Sequence, residues 1–543
     1  MTTDGSTSPI ALSDELDRLR REVQLLRLQR DELLEEYRQN NHTIERLQHQ
    51  LQQLLRRMYG RSSEKINPQQ MALFEKLLEQ LAQAQSPAAQ PVPASATPSE
   101  APKPAANGHG RRRLPSNLPR QKVIHDLPEQ EKPCPCCGKL RHVIGQEISE
   151  QLDYVPAKLT VIEHVRLKYA CHSCEQSAAE SGPQITTAEK PLSPIEKGLA
   201  APGLLSYVIV SKYGDHLPLH RLERILERHH IDIARSTMCD WMAQCADVLK
   251  PLYDLMITEV LQSRVIHTDD TPVDVLDRRL PGTTKTGRFW VYLGDKEHPQ
   301  NVFTYTPSRS RDGPMKFLAG WGRDNRVYLQ ADAFGGYDGI YAGGAGGHVT
   351  EVACLAHARR KFYDARSSDA ATSTQALAYI RLLYDVEDQA KELCAPERQQ
   401  LRQQLSVPRL AQFKAWLESR QASSGGPVLP KSPMGQAITY ALNQWDALCV
   451  YTTDGDLAID NNASENALRR VALGRKNWIF CGSDNGGHTA ATLFTFIATC
   501  QRHKVNMFDY LKDVLTRIAA HPMNRLAELL PGHWQPAPAV TST

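Results

Sequence analysis

Residues 264–273, "RVIHTDDTPV", contain a strong strand signal next to acidic residues near the middle of the chain. The stretch begins with β-branched and apolar residues and reaches two adjacent aspartates, Asp269 and Asp270. β-Branched residues favour strands, and a carboxylate at the end of a buried strand can face solvent. A second stretch of the same form, "VYLQADAFGGY" at 327–337, reaches Asp332. The pattern therefore predicts one strand ending at Asp269 and another ending at Asp332.

Three further β-rich runs surround these two strands: "RFWVYL" (288–293), "NVFTYT" (301–306) and "EVACLAH" (351–357). Along the chain, the runs at 264–269, 288–293 and 301–306 lie close together, as in a meander. The runs at 326–332 and 351–357 each follow a segment able to form a helix. The predicted order is β-β-β-α-β-α-β-α over residues 261–520, with the last helix delayed by a helical insertion at about 365–450. This order is that of a ribonuclease H-like α/β domain, a mixed sheet with helices on its faces.

A third acid follows the insertion, in "DNNASENALRR" at 460–470, which places Glu465 one turn into a predicted helix. The first and fourth strands are neighbours in this arrangement, so Asp269 and Asp332 should meet, and the helix with Glu465 should cross the same edge. Hard oxygen ligands select Mg²⁺ or Mn²⁺. Two such ions about 3.5–4 Å apart can aim a nucleophile at a phosphodiester and stabilise the departing oxygen. The sequence therefore predicts a metal-dependent phosphodiester chemistry.

Each acid also has a structural interpretation. Asp269 or Asp270 could cap a turn before Thr271–Pro272, and Asp332 could begin the turn into "FGGY". Glu465 could reach back to a helix cap at Asn462 or pair with Arg469 four residues on. Taken singly, these roles are commoner than metal binding. The order of all three acids on the expected elements is what favours the metal site.

Length and composition indicate several domains and no strong global charge. The chain has 543 residues, with Lys+Arg 64 against Asp+Glu 61, so any basic surface for nucleic acid must be local. The N-terminus lacks a basic segment followed by an apolar run, and no stretch approaches about 18 apolar residues. We therefore expect neither a secretion signal nor a membrane span, and a cytoplasmic location.

Residues 13–66 show a heptad pattern. From Leu16 to Met58, eleven of thirteen a and d positions are apolar, and Gly and Pro are absent from residue 13 until Gly60. Such a stripe needs a partner helix to bury it, which predicts a leucine-zipper coiled coil and a homo-oligomer. The alternative is a single amphipathic helix that packs on the chain's own globular part.

Residues 86–120 are rich in Pro, Ala and Ser and predict a disordered linker, because few large apolar residues are available to form a core. The linker contains a basic run of Arg111, Arg112 and Arg113. Such a run could be merely solvated or could contact DNA phosphates.

Residues 121–180 carry two Cys-x-x-Cys pairs around a β-rich run, and the four cysteines are Cys134, Cys137, Cys171 and Cys174. Two such pairs can present four thiolates tetrahedrally, which suits a structural Zn²⁺ site. Cys136 could exchange with its neighbours as a zinc ligand, and reduced thiols without metal are the alternative.

Residues 190–260 resemble a helix-turn-helix with its second helix capped at Ser236, although plain helical connectors look the same. Residues 521–543 form a C-terminal tail.

Taken together, the motifs resemble the insertion sequence 66 family of bacterial DDE-type transposases. The resemblance rests on "RRMYGRSSEKI", the cysteine segment, "SKYGDHLPLHR", "HTDDTPV", "LQADAFGGY", "CLAHARRKF" and "DNNASENALRRVALGRKNWIFCGSDNGG". It implies a catalytic triad of Asp269, Asp332 and Glu465 that binds Mg²⁺ or Mn²⁺, and zinc on the four cysteines. Asp270 stands where the family usually has glutamate.

The resemblance also covers residues whose role is open. Cys354 and His357 match a family Cys-x-x-His motif, for which a second metal or local packing and hydrogen bonding are the alternatives. Seven basic residues near the expected site could hold DNA phosphates: Arg359, Arg360, Lys361, Arg469, Arg470, Arg475 and Lys476.

The implied function is DNA transposition. The protein would bind the terminal inverted repeats of its element in the bacterial nucleoid, hydrolyse a phosphodiester and join the freed 3′-hydroxyl to target DNA. Accessory proteins encoded by the same element would be further partners. Two alternatives remain open: a zinc-bearing DNA-binding regulator with an inactive nuclease-like domain, and a structure-selective nuclease that cuts without joining.

Overall fold

The computed structural model describes residues 159–169, 186–187, 192–196, 198–277, 282–341 and 348–537, with Gln24, Gln29 and Arg30. The predicted linker, its Arg111–Arg113 run and the four zinc cysteines lie outside the described residues, as does the coiled coil apart from those three positions. Residues 159–163 belong to a separate unit, 88–163, and every element below lies in the other unit.

Eight strands are present in the described residues. They are β1 (Lys168–Tyr169), β2 (Thr186–Thr187), β3 (Val265–Leu276), β4 (Thr284–Leu293), β5 (Asn301–Thr306), β6 (Arg326–Ala331), β7 (His348–Ala353) and β8 (Phe480–Cys481). The first two form a short antiparallel pair. The other six form one mixed sheet in the order β5-β4-β3-β6-β7, with β8 also paired to β3.

Helices precede, connect and follow these strands. Before the sheet lie α1 (Pro202–Ile209), α2 (Leu219–Glu227) and α3 (Arg235–Val260). Within it lie α4 (Asp312–Phe317), a 3-10 turn at Gly335–Tyr337 and α5 (Leu355–Asp364). A helical insertion follows, with α6 (Ala370–Ala390), α7 (Ala395–Leu401), α8 (Val407–Arg420), α9 (Pro433–Asn443) and α10 (Trp445–Cys449). The last helices are α11 (Asn462–Trp478), α12 (Asp484–Arg502) and α13 (Met507–Arg517).

The prediction that the first strand of the sheet ends at Asp269 is wrong. Strand β3 is 12 residues long and continues to Leu276, because β4 pairs with it in antiparallel register from His267 onwards. On its other side, β6 pairs only with residues 265–267 and β8 only with residues 274–275. Among the described residues, the intervening part of this edge has no strand partner. Asp269 therefore lies where the parallel pairing stops, not where the strand stops.

Helices cover both faces of the sheet. On one face, Val265 packs in a core with the insertion helices, and the ring of Phe289 lies 6.1 Å from that of Phe494 on α12. On the other face, Tyr292 stacks on Phe317 of α4 with ring centroids 3.7 Å apart. This layering buries the sheet and leaves the end of β6 and the middle of β3 as the place where polar side chains can gather.

The predicted helix cap at Ser236 is wrong by two positions. Helix α3 begins at Arg235 with Ala234 as the N-cap residue and no side-chain cap. Glu223 of α2 takes that role, because its carboxylate accepts the backbone N–H of Arg235 at 3.3 Å. Helix α3 is 26 residues long, and its apolar side, including Trp241, Leu249 and Met256, is buried in the core.

None of the helices in the described parts of the chain is long and apolar enough to cross a membrane.

A buried arginine holds the insertion together. Arg402 is 1% exposed, and its guanidinium donates to Glu387 of α6 at 2.8 and 2.6 Å. Its Nη1 also donates to the backbone carbonyls of Tyr451 and Asp454, each at 2.9 Å. These bonds connect α6 to the segment that leads into α11. Removing one partner of a buried pair leaves an uncompensated charge, which is strongly destabilising.

We expect Arg402→Met to lower the free energy of unfolding by about 3–5 kcal/mol, because Glu387, whose side chain is only 16% exposed, would then lack its counter-ion. Urea unfolding followed by tryptophan fluorescence measures this change. Arg525→Met is the matched control, since Arg525 pairs with Glu528 at the surface, and should leave the unfolding midpoint unchanged. Equal midpoints for the Arg402 variant and the unmodified protein would contradict the assignment.

Candidate active site

Asp269 lies on β3 and Asp332 directly after the neighbouring parallel strand β6, at the same level. His267 pairs with Gln330, Asp269 is two residues beyond His267, and Asp332 is two residues beyond Gln330. Because side chains alternate with a period of two, both carboxylates belong to the same face of the sheet. Asp332 directly follows the end of β6. The neighbouring-strand part of the prediction, which placed the first and fourth strands side by side, is confirmed.

The electrostatics of the site connect all three acids. Burial, together with the negative charges of Asp332 and Glu465, raises the pKa of Asp269 to about 7. Burial also raises the pKa of Asp332, against the opposing positive charges of Arg309 and His357. The pocket is thus short of positive charge near Asp269, which is the condition a bound cation relieves.

Glu465 reaches the site from the first turn of α11. The N-cap residue of this helix is Asn461, so the alternative in which Asn462 is the cap is wrong by one position. The backbone N–H of Glu465 donates to the carbonyl of Asn461 at 3.3 Å. Its carboxylate is 42% exposed, and its Oε1 lies 3.9 Å from Nδ1 of His357.

Asn461 is the residue that attaches α11 to the sheet. It is fully buried, and its Nδ2 donates to the carbonyl of Thr268, next to Asp269, at 2.8 Å. Its Oδ1 lies 3.2 Å from Nδ1 of His267, and its backbone N–H donates to Sγ of Cys354 at 3.1 Å. One residue therefore joins β3, the end of β7 and the helix that carries Glu465.

Residues before Asn461 strengthen the same attachment. Gln330 of β6 donates from Nε2 to the carbonyls of Ala458 and Asp460 at 2.6 and 2.9 Å. Tyr384 of α6 donates its hydroxyl to Asp460 Oδ2 at 2.9 Å. The segment leading into α11 is therefore fixed to both the sheet and the insertion, so the position of Glu465 relative to Asp332 is set by hydrogen bonds on either side.

The Cys-x-x-His motif lies beside the acids. Ligand atoms of Cys354, His357 and Glu465 all lie within 4.8 Å of one another. Burial raises the pKa of the Cys354 thiol to about 11, and this thiol accepts the N–H of Asn461. A buried thiol that already accepts a hydrogen bond has a structural role available to it without metal. That observation gives a physical account of Cys354, whereas Nδ1 of His357 is buried and, in the described residues, has no hydrogen-bond partner.

The donor atoms of the three acids fit a hard cation. Oδ1 of Asp332 is buried and, within the described residues, has no hydrogen-bond partner. Asp269 and Glu465 add further carboxylate oxygens, which Mg²⁺ and Mn²⁺ prefer to sulfur. By donor chemistry Asp269, Asp332 and Glu465 suit these ions, and the cluster with Cys354 suits a softer metal. Within the described residues, the ligand atoms that converge within 4.8 Å are those of Cys354, His357 and Glu465, and not those of the three acids.

Three of the predicted DNA-binding side chains contact other parts of the protein, and four more are distinguished by their exposure. Arg475 is engaged with the sheet, because its Nη1 donates to Oγ1 of Thr271 at 2.9 Å. Lys361 lies over the ring of Tyr440, 4.7 Å from its centroid, and Arg360 lies 3.9 Å from Asp364. Arg469 and Lys476 are exposed on α11, whereas Arg359 and Arg470 are half-buried.

Three residues that contact the acidic site had no role there assigned from the sequence: Asn461, Asp270 and Arg309. Asn461 lies within a quoted motif and adjoins a polar run, which is a weak signal. Arg309 lies in the loop after β5, and nothing in "SRSRDG" marks it. Only folding brings that loop to the acids.

Sequence comparison with protein families covers most of the chain. The model described as "Transposase IS66 family" matches residues 197–489, and "zinc-finger binding domain of transposase IS66" matches residues 131–175. "IS66 C-terminal element" matches residues 495–531, and "Transposase C of IS166 homeodomain" matches residues 46–123. These matches define the class of protein as a transposase with a zinc-finger segment. The chain belongs to the IS66 transposase family.

Curated relatives come from Sinorhizobium fredii. "Uncharacterized protein y4hP" is 32% identical over 452 residues, covering 79% of this chain and 78% of the relative. "Uncharacterized protein y4qI" is 32% identical over 516 residues, covering 91% of this chain and 90% of the relative. No solved structure matches the chain.

The buried contacts of Asn461 lead to a prediction about stability. Asn461→Ala leaves the carbonyl of Thr268 without this donor, so the free energy of unfolding should fall by about 1–3 kcal/mol. Hydrogen exchange of the backbone amides in the first turn of α11 should accelerate, because the helix loses its attachment to β3. Asn466→Ala, at an exposed position of α11, is the control. Unchanged exchange in the Asn461 variant would refute the role assigned to this side chain.

The raised pKa of Asp269 predicts a pH dependence. The unfolded-state pKa of an aspartate is about 3.9, so between about pH 4 and about pH 7 the folded protein retains a proton that the unfolded chain has lost. The free energy of unfolding therefore falls as pH rises through this window, in the absence of added Mg²⁺ or Mn²⁺. Asp269→Asn removes that contribution. The difference in melting temperature between this variant and the unmodified protein should grow from about pH 4 to about pH 7, and a difference independent of pH would contradict it.

Proposed function

We propose that the protein is a DDE-type transposase that binds the terminal inverted repeats of its element and catalyses DNA transposition. Water hydrolyses a phosphodiester at the element's end and releases a 3′-hydroxyl. That hydroxyl then attacks a target phosphodiester, so one P–O bond forms as another breaks and no covalent intermediate with the enzyme is needed. The observation that carries the proposal is the position of Asp269 and Asp332 on one level of adjacent strands, with Glu465 close enough to raise the pKa of Asp269.

The architecture supports this function. The strand order β5-β4-β3-β6-β7, with three antiparallel strands followed by two parallel ones, is the order we assign to a ribonuclease H-like catalytic domain at 261–520. We assign DNA-end recognition to the four-cysteine segment 121–180 and the helical segment 190–260. The zipper at 13–66 would join protomers, so that two ends are held together. Target DNA and accessory proteins of the element would be the other partners.

Asp269, Asp332 and Glu465 would hold the catalytic Mg²⁺ or Mn²⁺. When bound, these ions would lower the barrier to phosphodiester attack by assisting the nucleophile and neutralising the departing oxygen. Zn²⁺ on Cys134, Cys137, Cys171 and Cys174 would stabilise the small domain without taking part in the chemistry.

The protein's own residues prepare the pocket. The hydrogen bonds of Asn461 attach the first turn of α11, which carries Glu465, to β3 next to Asp269. Little reorganisation would then be needed when the substrate arrives. The unsatisfied Oδ1 of Asp332 keeps a buried ligand atom available. His357 also adjoins the pocket, because its Nδ1 lies 3.9 Å from Oε1 of Glu465 and its charge lowers the pKa of Asp332.

We expect Asp269→Ala, Asp332→Ala and Glu465→Ala each to reduce end cleavage and strand joining by about a thousandfold or more, because loss of a metal ligand removes several kcal/mol of transition-state stabilisation. Binding to end DNA should be retained. The assay uses labelled duplex carrying one element end, a target plasmid and Mg²⁺, with cleaved and joined products resolved on a gel.

Asp274→Ala is the matched control, since this aspartate is exposed on the same strand and should leave both products unchanged. A triad variant that retains full joining would remove its residue from the assignment. If the unmodified protein shifts the DNA but forms no product, the regulator alternative holds. If it cleaves but never joins, the structure-selective nuclease holds.

A further inference from the structure

A cluster of one buried carboxylate and two arginines adjoins Asp269. Asp270, the next residue, has a side chain that is only 1% exposed. Its Oδ2 accepts Nη1 of Arg288 at 2.9 Å, and its Oδ1 accepts Nε and Nη2 of Arg309 at 3.0 and 2.8 Å. Two guanidinium groups thus face one carboxylate, and one positive charge is left over at the border of the acidic pocket.

Arg309 is the member of this cluster that reaches the acids. Its Nη2 lies 3.6 Å from Oδ2 of Asp332, and its side chain is 38% exposed, against 23% for Arg288. Its guanidinium carbon lies 4.0 Å from the centroid of the Phe334 ring. A guanidinium that stacks on an aromatic ring while it pairs with a buried carboxylate is held in one orientation.

The distances indicate which contacts fix Arg309. A charge-assisted N–H···O bond is about 2.7–2.9 Å long, so the 3.6 Å separation from Asp332 is a loose contact. Asp270 and Phe334 fix the side chain, and Asp332 does not. Arg309 therefore stays in place when Asp332 turns to another partner. The Nη1 atom of Arg309 takes no part in the bonds to Asp270.

We propose that Arg309 binds a non-bridging phosphate oxygen of the DNA strand that enters the acidic pocket, and that Asp270 positions it for this contact. Arginine suits this ligand because its planar fork matches the geometry of phosphate oxygens. Before DNA arrives, the same charge offsets part of the repulsion among the three acids. The inference rests on the proposed function, because it names the residue that receives the substrate of that same site.

The test is the salt dependence of DNA binding, measured without divalent ions by fluorescence anisotropy on a duplex carrying one element end. Each phosphate contact contributes about 0.9 to the slope of log Kd against log salt concentration. We expect Arg309→Gln to reduce this slope by about 0.9, and Arg309→Lys to retain it because the charge remains. A role limited to stability would weaken binding without changing the slope.

Arg288→Gln is the control. Arg288 also pairs with Asp270, so this variant removes an equal charge from the same carboxylate but from a side chain that does not reach Asp332. Its slope should equal that of the unmodified protein. Thermal unfolding of all three variants confirms that the measured protein is folded.

Two results would overturn the inference: an unchanged slope in Arg309→Gln, or an equal loss of slope in Arg288→Gln, which would indicate a general effect of charge. Cleavage by the unmodified protein with Mg²⁺ separates this failure from failure of the proposed function. If the unmodified protein cuts the duplex while the slopes are equal, only the role of Arg309 is lost. If it neither binds nor cuts the duplex, both proposals fall.

Discussion

The hydrogen bonds of Asn461 are the constraint on which the site depends. Asp269 and Asp332 are close because adjacent parallel strands place them at one level, a consequence of sheet geometry alone. Glu465 has no such guarantee, since the whole helical insertion separates it in sequence from the strands. Asn461 supplies the missing connection through Thr268, His267 and Cys354. It does so just beyond the point where β6 stops pairing with β3.

The charges around this connection follow from the geometry. Three carboxylates in a partly buried pocket repel one another, and burial raises the pKa of Asp269 to about 7. Arg309 and His357 oppose the effect at Asp332 but leave the pocket acidic. Adjacent residues of one strand point to opposite faces, so Asp269 joins the acids and Asp270 joins the arginines. In the proposed mechanism, this two-residue motif would serve both the binding of cations and the orientation of a guanidinium.

The sequence predicted the strand-rich order and the adjacency of the strands carrying Asp269 and Asp332, because β-branched runs and the period of the sheet are local properties. It placed the end of the first strand wrongly, since pairing with β4 extends β3 past the polar residues that resemble a terminus. It missed the cap of α3, because Glu223 comes from another helix. Arg309 and the contacts of Asn461 could not be found for the same reason: each depends on partners that are distant in sequence and meet only in the folded chain.

The most direct test of the central claim is a crystal structure with Mn²⁺ and element-end DNA, in which anomalous scattering locates the metal. We expect Mn²⁺ in contact with carboxylate oxygens of Asp269, Asp332 and Glu465, and α11 still attached to β3 through Asn461. Mn²⁺ bound by Cys354 and His357, with Asp269 and Asp332 outside its coordination sphere, would contradict it.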